Sequence, residues 1–319
     1  MRMKRRLLGL LAAMVMGAAP ALAAWPERPV TVVVPYPPGG NNDILARLLA
    51  PVVERTIGQP LVIDNRGGGG GTVGAGIASR AAADGYTLLF ADVGILAIAP
   101  HLFAQLPFTT ESFTPIIRLT EVSLLVGVPR NSPHRDLAAL LAAARERPEG
   151  VTFATPGNGT AGHLATQMMM SMAGVRMTHV PYRGSAPAAT DLTAGNVDML
   201  IDGTLLPAVT QGGIRALAVT GPRRSPFTPD LPTIAEAGVP GYAFASWHGV
   251  VAPRGAPAEA IARLNAAYNA AIADPQVQAR ARQLGLPLTG GSAADFAAFI
   301  VAEREKMGPV VRASGARVE

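Results

Sequence analysis

Short runs rich in Val, Ile and Leu alternate along the chain with longer Ala/Leu/Arg segments in which apolar residues recur every three to four positions. The first pattern predicts buried strands and the second amphipathic helices; together they predict an α/β protein with largely parallel sheets. Strands are expected at 30–34, 61–63 and 87–90, with helices over 43–57 and about 72–82 between them. Pro51 falls inside the first helix, where its missing donor predicts a kink or a break.

Further on, residues 114–128 form a long β-prone stretch with no helical segment on either side, suited to carrying the chain from one lobe to another. A second alternating unit follows: helix 136–147, strand 151–155, helix 161–173, strand 177–180, helix 186–194, and strands at 199–201 and 216–219. The proline-bearing loop 221–231 leads to a return crossing at 243–252, and the remainder is helical and Ala-rich. Two crossings predict two lobes with a cleft between them, a setting that pockets favour. Residues 24–123 and 247–319 are assigned to the first lobe and 124–246 to the second.

The N-terminus has its own logic. Arg2, Lys4, Arg5 and Arg6 precede an apolar run, Leu7 to Ala19, which ends at Pro20 and the small-residue stretch Ala21-Leu22-Ala23-Ala24. These are the three regions of an export signal, and the run is shorter than the roughly 20 residues of a membrane-spanning helix. Residues 1–23 are therefore expected to be cleaved near Ala23, leaving a periplasmic protein. Four of the 27 basic residues and none of the 22 acidic ones leave with them, so the formal charge falls from +5 to +1. A nucleic-acid partner would need a basic footprint, and none remains. The rest of the 319 residues suffices for two lobes. With no cysteine, thiol catalysis and zinc–thiolate sites are excluded, and 49% hydrophobic residues supply a core without disulfides.

One device recurs wherever a strand ends: a loop of Gly and Pro, then a helix. It occurs at Pro35-Tyr36-Pro37-Pro38-Gly39-Gly40-Asn41-Asn42-Asp43, at Pro156-Gly157-Asn158-Gly159-Thr160, and at Pro181-Tyr182-Arg183-Gly184-Ser185. Each leaves unpaired backbone N–H groups at the positive end of a helix dipole, where an anion binds without Lys or Arg. Glycine lets the backbone approach a ligand closely.

Two stretches also fit the dinucleotide fingerprint, Gly69 to Gly74 and Gly157 to Gly162, and carry a rival reading as an exported NAD-dependent oxidoreductase. Asp64-Asn65-Arg66 and further glycines separate the first from its strand, and the second lacks an acidic residue at the usual distance. The five histidines show no metal spacing and no nucleophile elbow is present, so no cofactor or metal is expected. His163 reads first as a structural histidine, Asp43 as a helix cap, and Met168, Met169, Met170 and Met172 as core filler. Trp247 reads equally as core or as a wall of the cleft.

These loops carry a family resemblance. Val34-Pro35-Tyr36 with Gly39-Gly40 and Asp43, Asp64-Asn65-Arg66, Asp84-Gly85-Tyr86-Thr87-Leu88-Leu89, Pro156 to Thr160, His179-Val180-Pro181-Tyr182-Arg183-Gly184 and Arg215 to Thr220 occur in an order that resembles the Bug family. Its members are the solute receptors of tripartite tricarboxylate transporters, and the likeness runs over essentially the whole chain after the signal. It implies a type II periplasmic-binding-protein fold, two α/β lobes joined by two crossing strands, and no catalysis. A carboxylate would be held by backbone amides and ordered water and handed by a monomeric receptor to permease subunits in the membrane. Carried onto this sequence, the family's site falls on Tyr36, Gly39, Gly40 and Asp43, on Gly157, Asn158, Gly159 and Thr160, and on Tyr182, Arg183 and Gly184, with Asp202 at an acidic position common in the family. The chain departs from the pattern at Asn41-Asn42, at Ala161-Gly162 and at Gly203-Thr204. It also departs at Asp92, which stands in a usually Thr/Ser/Asn-rich loop and is expected either to repel an anion or to select a ligand with a donor group.

Overall fold

The structure is a computed structural model that describes residues 25–314 and 316. The export segment at residues 1–23 lies outside the described residues. From the N-terminus come β1 (Val30–Val34), α1 (Asn41–Ile57), β2 (Leu61–Asn65), α2 (Thr72–Ser79) and β3 (Thr87–Asp92). A π-helical turn (Gly94–Ile98) and α3 (Ala99–Leu102) lead to β4 (Phe113–Val122). Then follow β5 (Leu125–Pro129), α4 (Leu137–Glu146), β6 (Thr152–Thr155), α5 (Ala161–Ala173), β7 (Thr178–Pro181), α6 (Ser185–Ala194), β8 (Met199–Asp202), α7 (Leu206–Thr210) and β9 (Ile214–Val219). The chain ends with β10 (Ser246–Pro253), α8 (Ala258–Ala273), α9 (Pro275–Leu284) and α10 (Ala293–Ser314).

The strands form two five-stranded sheets with matching layouts, β2-β1-β3-β10-β4 and β7-β6-β8-β5-β9. In each, three parallel strands come from consecutive strand–helix units, and the fourth position is taken by an antiparallel strand that arrives from the other sheet. The sheets are thus mixed where the apolar pattern predicts largely parallel ones. Apolar runs report burial on both faces, not strand direction. The first crossing is the two-residue link Ser123-Leu124 between β4 and β5, so the continuous β-prone stretch is two strands in two sheets. The return crossing covers 220–245 and ends in β10, every residue of which is buried.

Local physics accounts for the elements. Val30, Val32 and Val34 are fully buried, each worth about 1.5–3 kcal/mol of transfer free energy. Helix α1 buries Leu45, Leu49 and Val53 against the sheet and runs unbroken through Pro51. Pro51 and Arg47, whose carbonyl loses its helical partner, are both exposed, on the solvent side of the helix, where the lost bond costs least. Helix α4 is capped by Asp136, whose carboxylate accepts the Ala139 N–H at 2.8 Å. Trp247 is core: it is fully buried, packs edge-on against Phe296 and Phe299, and donates from Nε1 to Glu303 Oε2 at 3.1 Å. Of the four methionines on α5, Met169 and Met170 are buried, whereas Met172 is 43% exposed, so the run fills the core only in part. The far end of α10 reaches the second sheet's helices, where Ser171 Oγ on α5 donates to the Ala313 carbonyl at 2.9 Å.

Candidate functional site

The carboxyl ends of β1, β3, β6, β7 and β8 face one another between the sheets, each feeding a turn that opens a helix or helical turn. This is where open α/β sheets bind ligands. A cavity of about 60 Å³ lies there. Tyr36, Pro37, Gly40, Asn41, Asn42, Asp92, Ser246 and His248 line it on the side of the first sheet. Pro156, Thr160, Ala161, Gly162, Gly184, Ser185, Asp202 and Gly203 line it on the side of the second, with Leu124 from the first crossing between them.

Three helices of 17, 13 and 10 residues, α1, α5 and α6, begin at this cavity, with Gly40, Thr160 and Gly184 as their N-caps. Gly40 and Gly184 offer no side-chain cap, so the first-turn N–H groups of α1 and α6 are left to other acceptors. Thr160 caps α5 through the His163 N–H at 3.4 Å. Among the described residues lining the cavity there is no Lys or Arg. Positive potential therefore comes from helix dipoles and aligned backbone donors.

The lobes meet closely around the cavity. A Cβ built on Gly70 would lie 2.2 Å from the Asn158 carbonyl oxygen, and one on Gly203 would lie 2.2 Å from Asn41 Nδ2. Gly70 also has φ +64°, so that only glycine meets both demands at no cost.

Of the residues expected from the sequence, Tyr36, Gly40, Asn41, Asn42, Asp92, Thr160, Gly184 and Asp202 are brought together on the cavity wall. The others stand around it. Asp43 is buried beneath the first loop: Oδ2 accepts the Gly39 N–H at 3.0 Å, and Oδ1 accepts Arg47 Nε at 2.9 Å and Asn65 Nδ2 at 3.0 Å. Burial opposes its charge, but the Arg47 side chain, the Gly39 N–H and Asn65 outweigh it and hold its pKa below the usual value. Asp43 is thus a clamp on the loop and occupies the third helical position, not the cap. Gly159 does not line the cavity: its N–H donates to His163 Nδ1 at 3.2 Å, and its Cα faces Phe103. Gly157 donates to Thr155 Oγ1 at 3.3 Å, and Asn158 is exposed beside Gly70. The Tyr182 hydroxyl donates to Asp191 Oδ2 at 2.6 Å, which pushes its pKa up to about 12, and Arg183 is exposed and does not line the cavity.

His163 is structural. Its ring stacks on His179 at 4.8 Å, and His179 stacks on Phe153 at the same separation. Burial, and then the neighbouring His179, push the His163 pKa down to about 4.

Two buried carboxyl groups reach the cavity from opposite sides. Asp202 accepts Ser185 Oγ on Oδ2 at 2.9 Å and both the N–H and the hydroxyl of Thr204 on Oδ1, at 2.8 and 2.6 Å. Burial raises its pKa, against the pull of these donors. Asp92 Oδ1 accepts the Ile95 N–H of the π-helical turn at 3.1 Å, and burial pushes this carboxyl up to about 6.

Sequence reasoning did not select Pro37, Leu124, Pro156, Ser185, Ser246 or His248, all of which line the cavity. Ser246 and His248 flank Trp247 on a strand that is otherwise apolar or glycine, so they share one face. Two polar side chains at alternate positions of a wholly buried strand were the available signal.

A cleft between two α/β lobes, with helix N-termini converging from both, defines a two-lobed solute-binding protein. The family model described as "Tripartite tricarboxylate transporter family receptor" matches residues 45–316. BugT of Bordetella pertussis is 35% identical over 308 residues, covering 95% of this chain and 94% of the relative. The R. palustris protein Rpa4515, solved with adipate, has a TM-score of 0.88 and 39% identity, covering 92% of this chain and 100% of its own. MatC from Rhodopseudomonas palustris, solved with malate, has a TM-score of 0.86 and 33% identity, covering 90% and 100%. The chain belongs to the tripartite tricarboxylate transporter receptor family. It is a periplasmic solute receptor that serves a membrane transporter, and it is not an enzyme. The oxidoreductase reading finds no support, and the Gly69–Gly74 fingerprint is a tight turn and helix start packed against Asn158.

Proposed function

We propose that the solute is a small carboxylate held in the cavity between the lobes and released to the permease subunits of a tripartite tricarboxylate-type transporter. The observation that carries this reading is the convergence of three helix N-termini on a cavity lined by no Lys or Arg. Adipate and malate in the related structures support a carboxylate for this chain as well. Gly40, Asn41 and Asn42 on one side, and Thr160, Gly184 and Ser185 on the other, supply the donors. Tyr36 and Asp202 shape the walls, and Gly39, Asp43, Gly157, Asn158, Gly159, Tyr182 and Arg183 act from behind the loops. The lobes divide near residues 123 and 246, the receptor acts as a monomer, and residues 1–23 are removed on export.

Native mass spectrometry of protein purified without denaturation tests the reading directly. A co-purified carboxylate of one mass, lost on unfolding, is the expected result. A bound cationic or uncharged solute would overturn it. Solution scattering should show a more compact particle on ligand addition, because a ligand shifts the open–closed equilibrium through its better contacts with the closed form.

A further inference from the structure

The cavity carries more acceptor capacity than an anion site requires. Asp202 is fully occupied, with Ser185 on one oxygen and Thr204 on the other. Asp92 is not matched in this way. It is the last residue of β3, its Cα is paired across the ladder with His248 of β10, and both side chains line the cavity. Its well-formed hydrogen bond is the Ile95 N–H on Oδ1. The adjacent Tyr36 and Asn42 side chains bond to the Gly70 and Phe90 carbonyls, each at 3.2 Å. With the Gly94 N–H they also lie near enough to Asp92 to favour its charged form, so what stays unsatisfied on this wall is acceptor capacity turned to the cavity and the His248 ring. His248 is 3% exposed, and its buried Nδ1 has no partner among the described residues.

A methylene chain or a bare carboxylate pressed against this wall would leave the remaining acceptor capacity of a buried carboxyl and the His248 Nδ1 unmet, or set like charges side by side. A group bringing its own O–H or N–H satisfies the wall instead. We propose that Asp92 and His248 form the subsite for a hydrogen-bond-donating substituent on the ligand, so that the receptor selects hydroxy- and amino-substituted carboxylates over unsubstituted ones. The proposal rests on the carboxylate reading above and deepens it.

Titration adds a check. Burial raises Asp92 to about 6 and lowers His248 to about 4, so near neutral pH the pair is a carboxylate beside a neutral imidazole. The groups facing Asp92 are Tyr36 and Asn42 from the first loop and helix, His248 from β10, and Asp202 across the cavity. Tyr36 is raised well above its usual range and stays neutral throughout. As pH falls through about 6, Asp92 gains a proton and becomes a donor, which favours an unsubstituted carboxylate and disfavours an ammonium group.

The test is calorimetry on the purified protein with succinate, glutarate and adipate, each beside its 2-hydroxy and 2-amino counterparts, at pH 7.5 and pH 5. At pH 7.5 a substituted ligand of the preferred length should bind at least about tenfold tighter than its unsubstituted partner, the worth of one hydrogen bond to a charged group. The preference should shrink at pH 5. It should also collapse in Asp92→Asn, which keeps the Oδ1 acceptor for Ile95. Equal or tighter binding of the unsubstituted ligand at pH 7.5, or a preference unchanged in Asp92→Asn, overturns the subsite and leaves the carboxylate reading intact. Binding by none of the panel overturns both. If Asp92→Asn fails to fold, the wild-type comparison at the two pH values decides.

Discussion

Gly40→Val probes the site where α1 begins. Gly40 is the N-cap of α1 and lines the cavity, with φ −84° and ψ 168°, an extended conformation open to any residue. A Cβ there meets only Ser185 Oγ, at 3.8 Å. Gly40→Ala should therefore be tolerated by the fold. Valine adds two further methyl groups, and the backbone directs them toward the seam with Ser185 and the cavity. The cavity is small, about 60 Å³, and Gly40 is part of its wall. Two methyls at this wall would intrude on it and displace a carboxylate oxygen from the α1 N-terminus. Losing one charge-assisted hydrogen bond costs about 1.5–3 kcal/mol, so affinity should drop at least about tenfold. Thermal melting without ligand should fall modestly, because valine ranks below glycine as an N-cap by about 1 kcal/mol, so the binding loss must be read against that small stability change. Calorimetry with whichever carboxylate co-purifies gives the affinity. Unchanged affinity in Gly40→Val would refute the placement of the anion at α1.

Arg183→Ala should weaken binding less than Gly40→Val, since Arg183 is exposed and off the cavity wall; the reverse order in the same titration would mean a guanidinium clamp. Asp43→Ala leaves the Gly39 N–H and the Asn65 amide short of an acceptor and should cost about 1–3 kcal/mol in chemical denaturation, with weaker binding as the first loop loosens. Asp92 is raised from 3.8 to about 6, so the folded state holds the extra proton between those values, and the stability this contributes below 3.8 is lost as pH rises through about 6. Asp92→Asn should accordingly stabilise the unliganded protein by up to about 3 kcal/mol above pH 6 and by almost nothing below pH 4, read from denaturation curves at both ends. Intact mass of the exported protein should place its first residue at Ala24 or Trp25, and retention of Leu7 to Ala19 would count against cleavage.

The fold was legible where burial writes a period into the chain. Val30 to Val34 and Ala161 to Ala173 are elements with the bounds their patterns predict. The segment 94–112 was not legible, because the π-helical turn and α3 are almost wholly apolar and short, with no face to mark. The split at Ser123-Leu124 was also hidden, since both flanking strands are apolar and a sheet boundary leaves no mark on composition. At the site, loop chemistry identified the helix starts but not which donors stay free. Gly39 and Gly159 look like ligand-facing glycines, yet Asp43 and His163, each four residues on, take their N–H groups. His248 carried no motif, because it comes to the cavity through a ladder partner far away in sequence.

The absence of Lys and Arg from the cavity wall bears on how the receptor behaves in a compartment whose salt follows the surroundings. Mobile ions screen exposed charges beyond about 8–10 Å at ordinary ionic strength, but they reach poorly into a closed, buried site. Partial charges fixed on α1, α5 and α6 are part of the backbone, so they can be neither neutralised by a change of pH nor swung out to pair with a competing counter-ion. The arrangement gives up long-range steering, which accelerates encounter through net charge. It gains a grip on the solute that holds from dilute to brackish surroundings, with capture rates set by diffusion and lobe closure.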